Sequence, residues 1–544
     1  MSLTHRHKNV CKVVVYVRLS LTHNIKNIQG IVQMKNGLAR NAVHWTGIWK
    51  NEPVKNLTKA EERGRLRFIW MYYVNHRKGI NMERKNAWLS YGEAEEKEME
   101  ELVKKYRHFL DEGKTERECV EQIIKEAEEA GYRELSAKMA EGKTLQAGDK
   151  VYTVAMNKIV SLFHIGSEPL EKGMNILGAH IDSPRLDIKQ NPLYEDADLA
   201  YLDTHYYGGV KKYQWVTLPL AMHGVVAKKD GSVVDIRIGE EEEDPILYIT
   251  DLLIHLAGSQ LEKPASKVIE GENLDILVGS RPLKDLDDDR KKEAVRENVL
   301  AILKEKYGIE EEDFLSAELE IVPAGKAREC GLDRSMIAAY GQDDRVCAYT
   351  SLAALLKMEA PVRTCCCLLV DKEEIGSVGA TGMQSRFFEN SVAELLDAMG
   401  IYSELTLRRT LRNSSMLSSD VSAGFDPAFG EAFEKKNTAY LGRGIVLNKF
   451  TGARGKSGSN DANAEYVARV RRIFDDHQVA FQTAELGKVD VGGGGTIAYI
   501  AALYGMEVID CGVAVLSMHA PWEVTSKADI YETEKAYEAF LLDA

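Results

Sequence analysis

Residues 345–374 read RVCAYTSLAALLKMEAPVRTCCCLLVDKEE. A helical run, Arg345–Lys357, is followed by a strand-like apolar run, Val362–Val370, which ends on Asp371-Lys372-Glu373-Glu374. The same alternation continues downstream: helix Val392–Met399, strand Ala480–Ala484, helix Thr496–Tyr504, strand Val508–Leu516 and a terminal helix beginning near Ser526. Strands alternating with helices predict an α/β fold, a mixed β-sheet flanked by helices on both faces. In such sheets functional residues gather at strand ends, which is where Glu373 and Glu374 fall.

Upstream, Ser90-Tyr91-Gly92-Glu93 and Thr115-Glu116-Arg117-Glu118 read as two capping boxes. Met99, Leu102, Val103, Tyr106 and Leu110 follow the first at helical spacing, and Val120, Ile123 and Ile124 follow the second. Two antiparallel helices are expected, then strands Val151–Met156, Ile159–Ile165 and Asn175–Ile181. Residues 186–327 read differently. Val210–Ile238 is β-rich with Lys229-Asp230-Gly231 as a hairpin turn, Glu240–Asp244 is an acidic run expected to be a solvated loop, and Glu293–Lys306 is helical. This stretch looks like an inserted β-rich domain, so the catalytic domain is expected in two parts, 82–185 and 328–544.

Residues 1–81 differ in charge from the rest of the chain. They hold 15 Lys and Arg against three Asp and Glu, while the remainder holds 55 against 81. The apolar patch Val10–Leu21 is interrupted by Lys12 and Arg18 and has no small-residue cleavage site. This basic N-terminal extension is expected to lie outside the fold, with Met82 opening the well-patterned part. The net charge of −14 argues against a nucleic-acid partner, and no apolar run is long enough to span a bilayer. The cysteines include no Cys-x-x-Cys pair, and Cys365, Cys366 and Cys367 alternate faces on one strand. Buried free thiols in a reducing compartment, hence a cytoplasmic protein, are the expectation.

Five islands carry metal-ligand side chains, each near the end of an apolar run: His180-Ile181-Asp182, Asp343-Asp344, Glu373-Glu374, Asp420 and His519. Zinc takes imidazole nitrogens and carboxylate oxygens, and two metals about 3.5–4 Å apart need a bridging ligand. The set allows His180 and Asp420 on one metal, Glu374 and His519 on the other, and Asp343 between them. Asp182 projects to the same side of a strand as His180 and can fix its ring tautomer. One of the adjacent Glu373 and Glu374 can bind metal while the other serves as general base. Singly, each island is more often structural: an Asp-Asp at a helix start is commonly an N-cap, for example.

The strings GAHIDSPRL (178–186), DKEEIGS (371–377) and SMHAPWE (517–523) resemble the M18 metallopeptidases, the aspartyl aminopeptidase family. The likeness runs from about Met82 to the C-terminus. It implies a metal-dependent aminopeptidase that hydrolyses the N-terminal residue of peptides, with two Zn2+ per subunit and Co2+ or Mn2+ as substitutes. It implies metal ligands His180, Asp343, Glu374, Asp420 and His519, with Glu373 as base, and a cis peptide bond between Asp343 and Asp344. It implies that 186–327 mediates dimerisation and that homodimers assemble into a homododecamer. By the same resemblance His255 is the candidate for a histidine donated to a neighbouring subunit's site, the alternative being a buried helix histidine. Acidic substrate preference would need cations, for which Lys449, Arg454 and Lys456 are the candidates, with surface lysines as the alternative. Gly492–Gly495 lacks the Lys-Ser/Thr of a phosphate loop and reads as backbone passing close to substrate. The competing readings are another di-zinc hydrolase, such as a carboxypeptidase or N-deacylase, and a self-assembling shell protein with a dead site.

Overall fold

In this computed structural model the described residues are 84–288 and 290–544, together with the strands Val13–Val17, Gln29–Met34 and Ala42–His44. The chain divides into two compact units, 1–81 and 82–544. In the first unit those three strands pair antiparallel in chain order. The rest of the basic extension lies outside the described residues.

The second unit is built on a nine-stranded mixed sheet. At its centre strand Met174–His180 runs parallel to Thr364–Val370 on one side and to Ser415–Ser418 on the other. Glu507–Gly512 continues the parallel set, and antiparallel Ile159–His164 and Ile445–Asn448 flank it. The triple cysteine shows why these strands are apolar throughout. Cys365, Cys367 and Leu369 enter one core with helices Gln342–Leu356 and Lys527–Asp543. Cys366, Leu368 and Val370 enter the other with helix Phe387–Ala398. A period-2 strand covered on both faces has no polar side to present. The thiols are free and buried, and burial pushes Cys365 up to about 12. Among the described residues no helix is long and apolar enough to cross a membrane.

Two further sheets complete the unit. Residues 185–323 contribute a six-stranded antiparallel sheet with its own core around Trp215, Leu220 and Ile321. Its hairpin Leu220–Ala227 to Val233–Ile238 turns where Lys229-Asp230-Gly231 predicts. A five-stranded sheet, absent from the sequence reading, contains Met336–Ala339, Ala514–Leu516 and Glu523–Ser526.

Three local expectations need correction. The first capping box lies two residues on: Ser90 ends a 3-10 turn, and Gly92 caps helix Glu93–Glu112 while its N–H donates to Glu95. The second stands as read, with Thr115 N donating to Glu118 and Glu118 N to Thr115. The run Val508–Leu516 is two strands, Glu507–Gly512 in the nine-stranded sheet and Ala514–Leu516 in the five-stranded one. Glu240 is no solvated loop residue. Its side chain is buried against Lys114 and His223.

Candidate metal centre

The three parallel strands at the sheet centre end side by side. His180 is the last residue of Met174–His180, Glu373 and Glu374 form a turn just after Thr364–Val370, and Asp420 follows Ser415–Ser418. The five-stranded sheet supplies the rest from the other side. Asp343 follows Met336–Ala339, and His519 sits in the connection between Ala514–Leu516 and Glu523–Ser526. Ligand candidates far apart in sequence thus meet in the crevice between two sheets.

They meet as two groups sharing one member. Ligand atoms of His180, Asp343 and Asp420 lie within 4.8 Å of one another, and so do those of Asp343, Glu374 and His519. Asp343 faces both histidines: its Oδ1 is 3.3 Å from His180 Nε2 and its Oδ2 is 3.3 Å from His519 Nε2. The Asp343–Asp344 peptide bond is cis.

Backbone and side-chain bonds hold the ligand candidates in place. His180 Nδ1 lies 3.0 Å from the Asp182 carbonyl oxygen and 3.2 Å from its Oδ1. The Asp182 carboxylate also does something its spacing from His180 does not suggest. It accepts the backbone N–H groups of Glu373 and Glu374 at 3.1 Å each, and the Tyr207 hydroxyl at 2.9 Å. Ser183 Oγ donates to the Asp343 carbonyl at 2.6 Å. The Glu523 carboxylate accepts from Asp343 N at 2.9 Å and from His519 N at 2.7 Å. Glu523 and Tyr207 carry no role in the sequence reading. Glu523 lies within the quoted SMHAPWE string, which is the one signal that could have found it.

The electrostatics ask for a cation. Six carboxylates, of Asp182, Asp343, Asp344, Glu373, Glu374 and Asp420, surround two imidazoles. Burial pushes the Glu374 and Asp420 carboxyls well above the usual range, and the charges of Asp343 and Asp344 add to this. Burial, against the pull of His180, lifts Glu373 to about 7. Asp343 goes the other way, because hydrogen bonds to His180 and His519 outweigh its burial. Burial lowers His519, but Asp343 and Glu374 outweigh it and hold the ring up at about 10. Glu374 Oε1 is buried with no hydrogen-bond partner. Such an oxygen, in a cluster of imidazole and carboxylate donors, fits a divalent metal such as zinc.

The remaining candidates lie elsewhere. His255 is not a buried helix residue. It is exposed in a turn whose Leu252, Leu253, Ile254 and Leu256 are also exposed, and it enters neither ligand group of its own chain. Lys449 and Lys456 are surface side chains that share Asp461 as ion-pair partner, and Arg454 is exposed. At Gly492 the close neighbour is its own loop: a Cβ would meet the Leu486 carbonyl oxygen at 2.0 Å.

Comparison with known proteins identifies the family. The sequence model of the family described as Aminopeptidase I zinc metalloprotease (M18) matches residues 109–541. A Clostridium acetobutylicum protein named "Probable M18 family aminopeptidase 1" is 62% identical over 459 residues, covering 84% of this chain and 98% of that relative. The crystal structure of an M18 aminopeptidase from Thermotoga maritima superposes with a TM-score of 0.81 at 45% identity, covering 85% of this chain and 100% of the other. That of aminopeptidase I from C. acetobutylicum gives 0.79 at 60% identity, covering 84% and 99%. The S. cerevisiae mApe1 dodecamer, at 21% identity and a TM-score of 0.63, shares the fold. The chain belongs to the M18 family of zinc aminopeptidases.

Proposed function

We propose that this aminopeptidase works with two zinc ions per chain, held by His180, Asp420 and the shared Asp343 on one side and by Asp343, Glu374 and His519 on the other. The observation that carries the reading is Asp343, whose two carboxylate oxygens face the two histidines at equal distance. The chemistry supplied by the bound metals is Lewis acidity toward a carbonyl oxygen and toward water. Glu373 stands on the turn beside the ligands, where burial lifts its carboxyl above the usual range. It takes the proton of the attacking water and returns it to the amine that leaves when the N-terminal residue is cut off. Asp182 fixes that turn by both of its leading N–H groups, so the backbone that carries the base cannot move away without breaking two hydrogen bonds.

Glu373→Gln tests the assignment. It should keep two zinc ions per chain by elemental analysis and lose leucyl p-nitroanilide hydrolysis by about 100-fold or more. Full turnover would remove Glu373 as base, and fewer than two metals on the wild type would remove the two-zinc reading. Preference for acidic N-terminal residues rests on Lys449, Arg454 and Lys456, two of which are held by Asp461. The turnover ratio on aspartyl against leucyl substrate decides it: a ratio of one or more supports the preference, and one far below removes it. The exposed apolar turn at Leu252–Leu256 supports assembly through residues 186–327, and with it donation of His255 to a neighbour's site in a homododecamer. His255→Phe should then lower turnover without changing particle mass by light scattering; unchanged turnover in the intact particle would take His255 out of the site. The cytoplasm as its compartment is part of the same proposal, supported by the free buried thiols.

A further inference from the structure

Strand Leu199–Tyr207 belongs to the six-stranded sheet, yet its end reaches the ligand cluster of the nine-stranded one. Three consecutive residues make three separate contacts there. Tyr207 is buried and donates its hydroxyl to Asp182 Oδ2 at 2.9 Å, on the carboxylate that also receives the Glu373 and Glu374 N–H groups. Gly208 has φ +74° and packs on the Glu374 side chain, where a Cβ would lie 3.3 Å from Glu374 Cβ. The Gly209 carbonyl oxygen lies 3.0 Å from His519 Nδ1, and a Cβ on Gly209 would come within 3.1 Å of that nitrogen.

The segment is itself anchored. The Arg185 guanidinium lies 3.9 Å over the Tyr207 ring. Arg185 is buried and held by Glu116 at 2.9 Å, Asp187 at 2.8 Å and Glu320 at 3.1 Å. Those partners come from the helix pair and from strands of the six-stranded sheet. The position of Tyr207 is therefore set by charged groups outside the ligand set.

The bond from His519 to Gly209 has a chemical consequence. A ring whose Nδ1–H is given to a carbonyl presents the bare Nε2 as a ligand. His519 Nε2 is the nitrogen that faces Asp343 at 3.3 Å and Glu374 at 3.5 Å. The same three-residue segment limits the space of Glu374 through Gly208. It makes no such contact with Asp420, and it reaches His180 only through Asp182.

We propose that Tyr207-Gly208-Gly209 is a positioning strap that sets zinc affinity at the Asp343, Glu374 and His519 group while leaving the His180 and Asp420 group unaltered. The sheet taken for an assembly module thereby builds part of its own chain's metal centre. This rests on the two-zinc reading above.

The test is a zinc titration of the metal-free full chain by calorimetry and chelator competition. The wild type should bind two ions. Gly209→Ala, which crowds His519 Nδ1, should weaken one of the two by about 10- to 100-fold and leave the other unchanged. Tyr207→Phe removes only a hydroxyl and adds no volume, so it serves if Gly209→Ala does not fold; that hydroxyl sits on Asp182 Oδ2, which also receives the Glu374 N–H, while His180 Nδ1 faces Oδ1 and the Asp182 carbonyl, so the larger loss should again fall on the Glu374 and His519 site. Melting of the metal-free variants should match the wild type. Fewer than two ions on the wild type would defeat the two-zinc reading and the strap with it. Two ions on the wild type and unchanged titrations in the variants would defeat the strap alone. Equal weakening of both sites with a lowered metal-free melting temperature would overturn it in favour of a general packing role.

Discussion

Glu523 accepts the backbone N–H of Asp343 on one oxygen and that of His519 on the other, joining two ligand candidates that the chain keeps well apart. Burial, with the charge of Asp343 nearby, raises its carboxyl to about 8, against the pull of those two N–H groups. In Glu523→Gln one acceptor oxygen becomes an NH2 facing a backbone N–H, so one of the two ties is lost. Zinc affinity should fall by about 10- to 100-fold in a chelator competition, with an unchanged circular dichroism spectrum. Unaltered affinity would mean that the backbone holds both ligands unaided. At this scale the sequence discloses ligand types but not their supports. Asp182 illustrates the limit. Alternation along a strand puts it on the side of His180, but its bonds to the Glu373 and Glu374 amides follow from the pairing of two distant strands, which places His180 opposite Val370. No spacing within either island carries that register.

At the scale of elements, the central sheet was legible because short apolar runs alternate along the chain with segments of helical pattern. Cys365 to Leu369 divide between two cores one residue at a time, and a run of that kind has few alternative folds. The five-stranded sheet was not legible, since its strands are four residues or fewer and none has a pattern long enough to declare itself. Gly512 marks where the reading failed. The run Val508–Leu516 looks continuous, but the chain changes sheets after Gly512, passing so close to Asp420 that a Cβ would meet its carbonyl oxygen at 2.1 Å. A side chain there must displace the segment that carries a metal-ligand candidate. Gly512→Ala should therefore lower both the melting temperature and the zinc retained after dialysis. A variant that keeps its zinc while melting lower would show that the Asp420 segment yields without moving its carboxylate.

At the scale of the whole unit, the helix pair, the six-stranded sheet and the segment that leaves that sheet near Gly325 converge on His223. The ring is fully buried on strand Leu220–Ala227. Its Nδ1 lies 2.8 Å from Glu118 on helix Glu116–Glu129, and its Nε2 lies 3.2 Å from Glu240 beyond strand Val233–Ile238. Lys114 stands 3.7 Å from the same Glu240 oxygen and donates to the Gly325 carbonyl, while Arg237 pairs with Glu112 nearby. Burial lowers the pKa of His223, but the two carboxylates outweigh it and leave the ring above its ordinary 6.5. A group raised in the folded state contributes fully where both states are protonated, below pH about 6.5. Between that value and the raised one, folding takes up a proton and the contribution declines; above the raised value it is gone. His223→Gln leaves buried Glu240 and partly buried Glu118 short of one cation, a loss of at most about 3–5 kcal/mol. The melting-temperature gap between wild type and His223→Gln should be widest near pH 6 and should narrow steadily toward pH 9. A gap that stays constant or widens with pH would mean a neutral ring in the native state, and the three parts of the unit would then be held together by packing rather than by this charge.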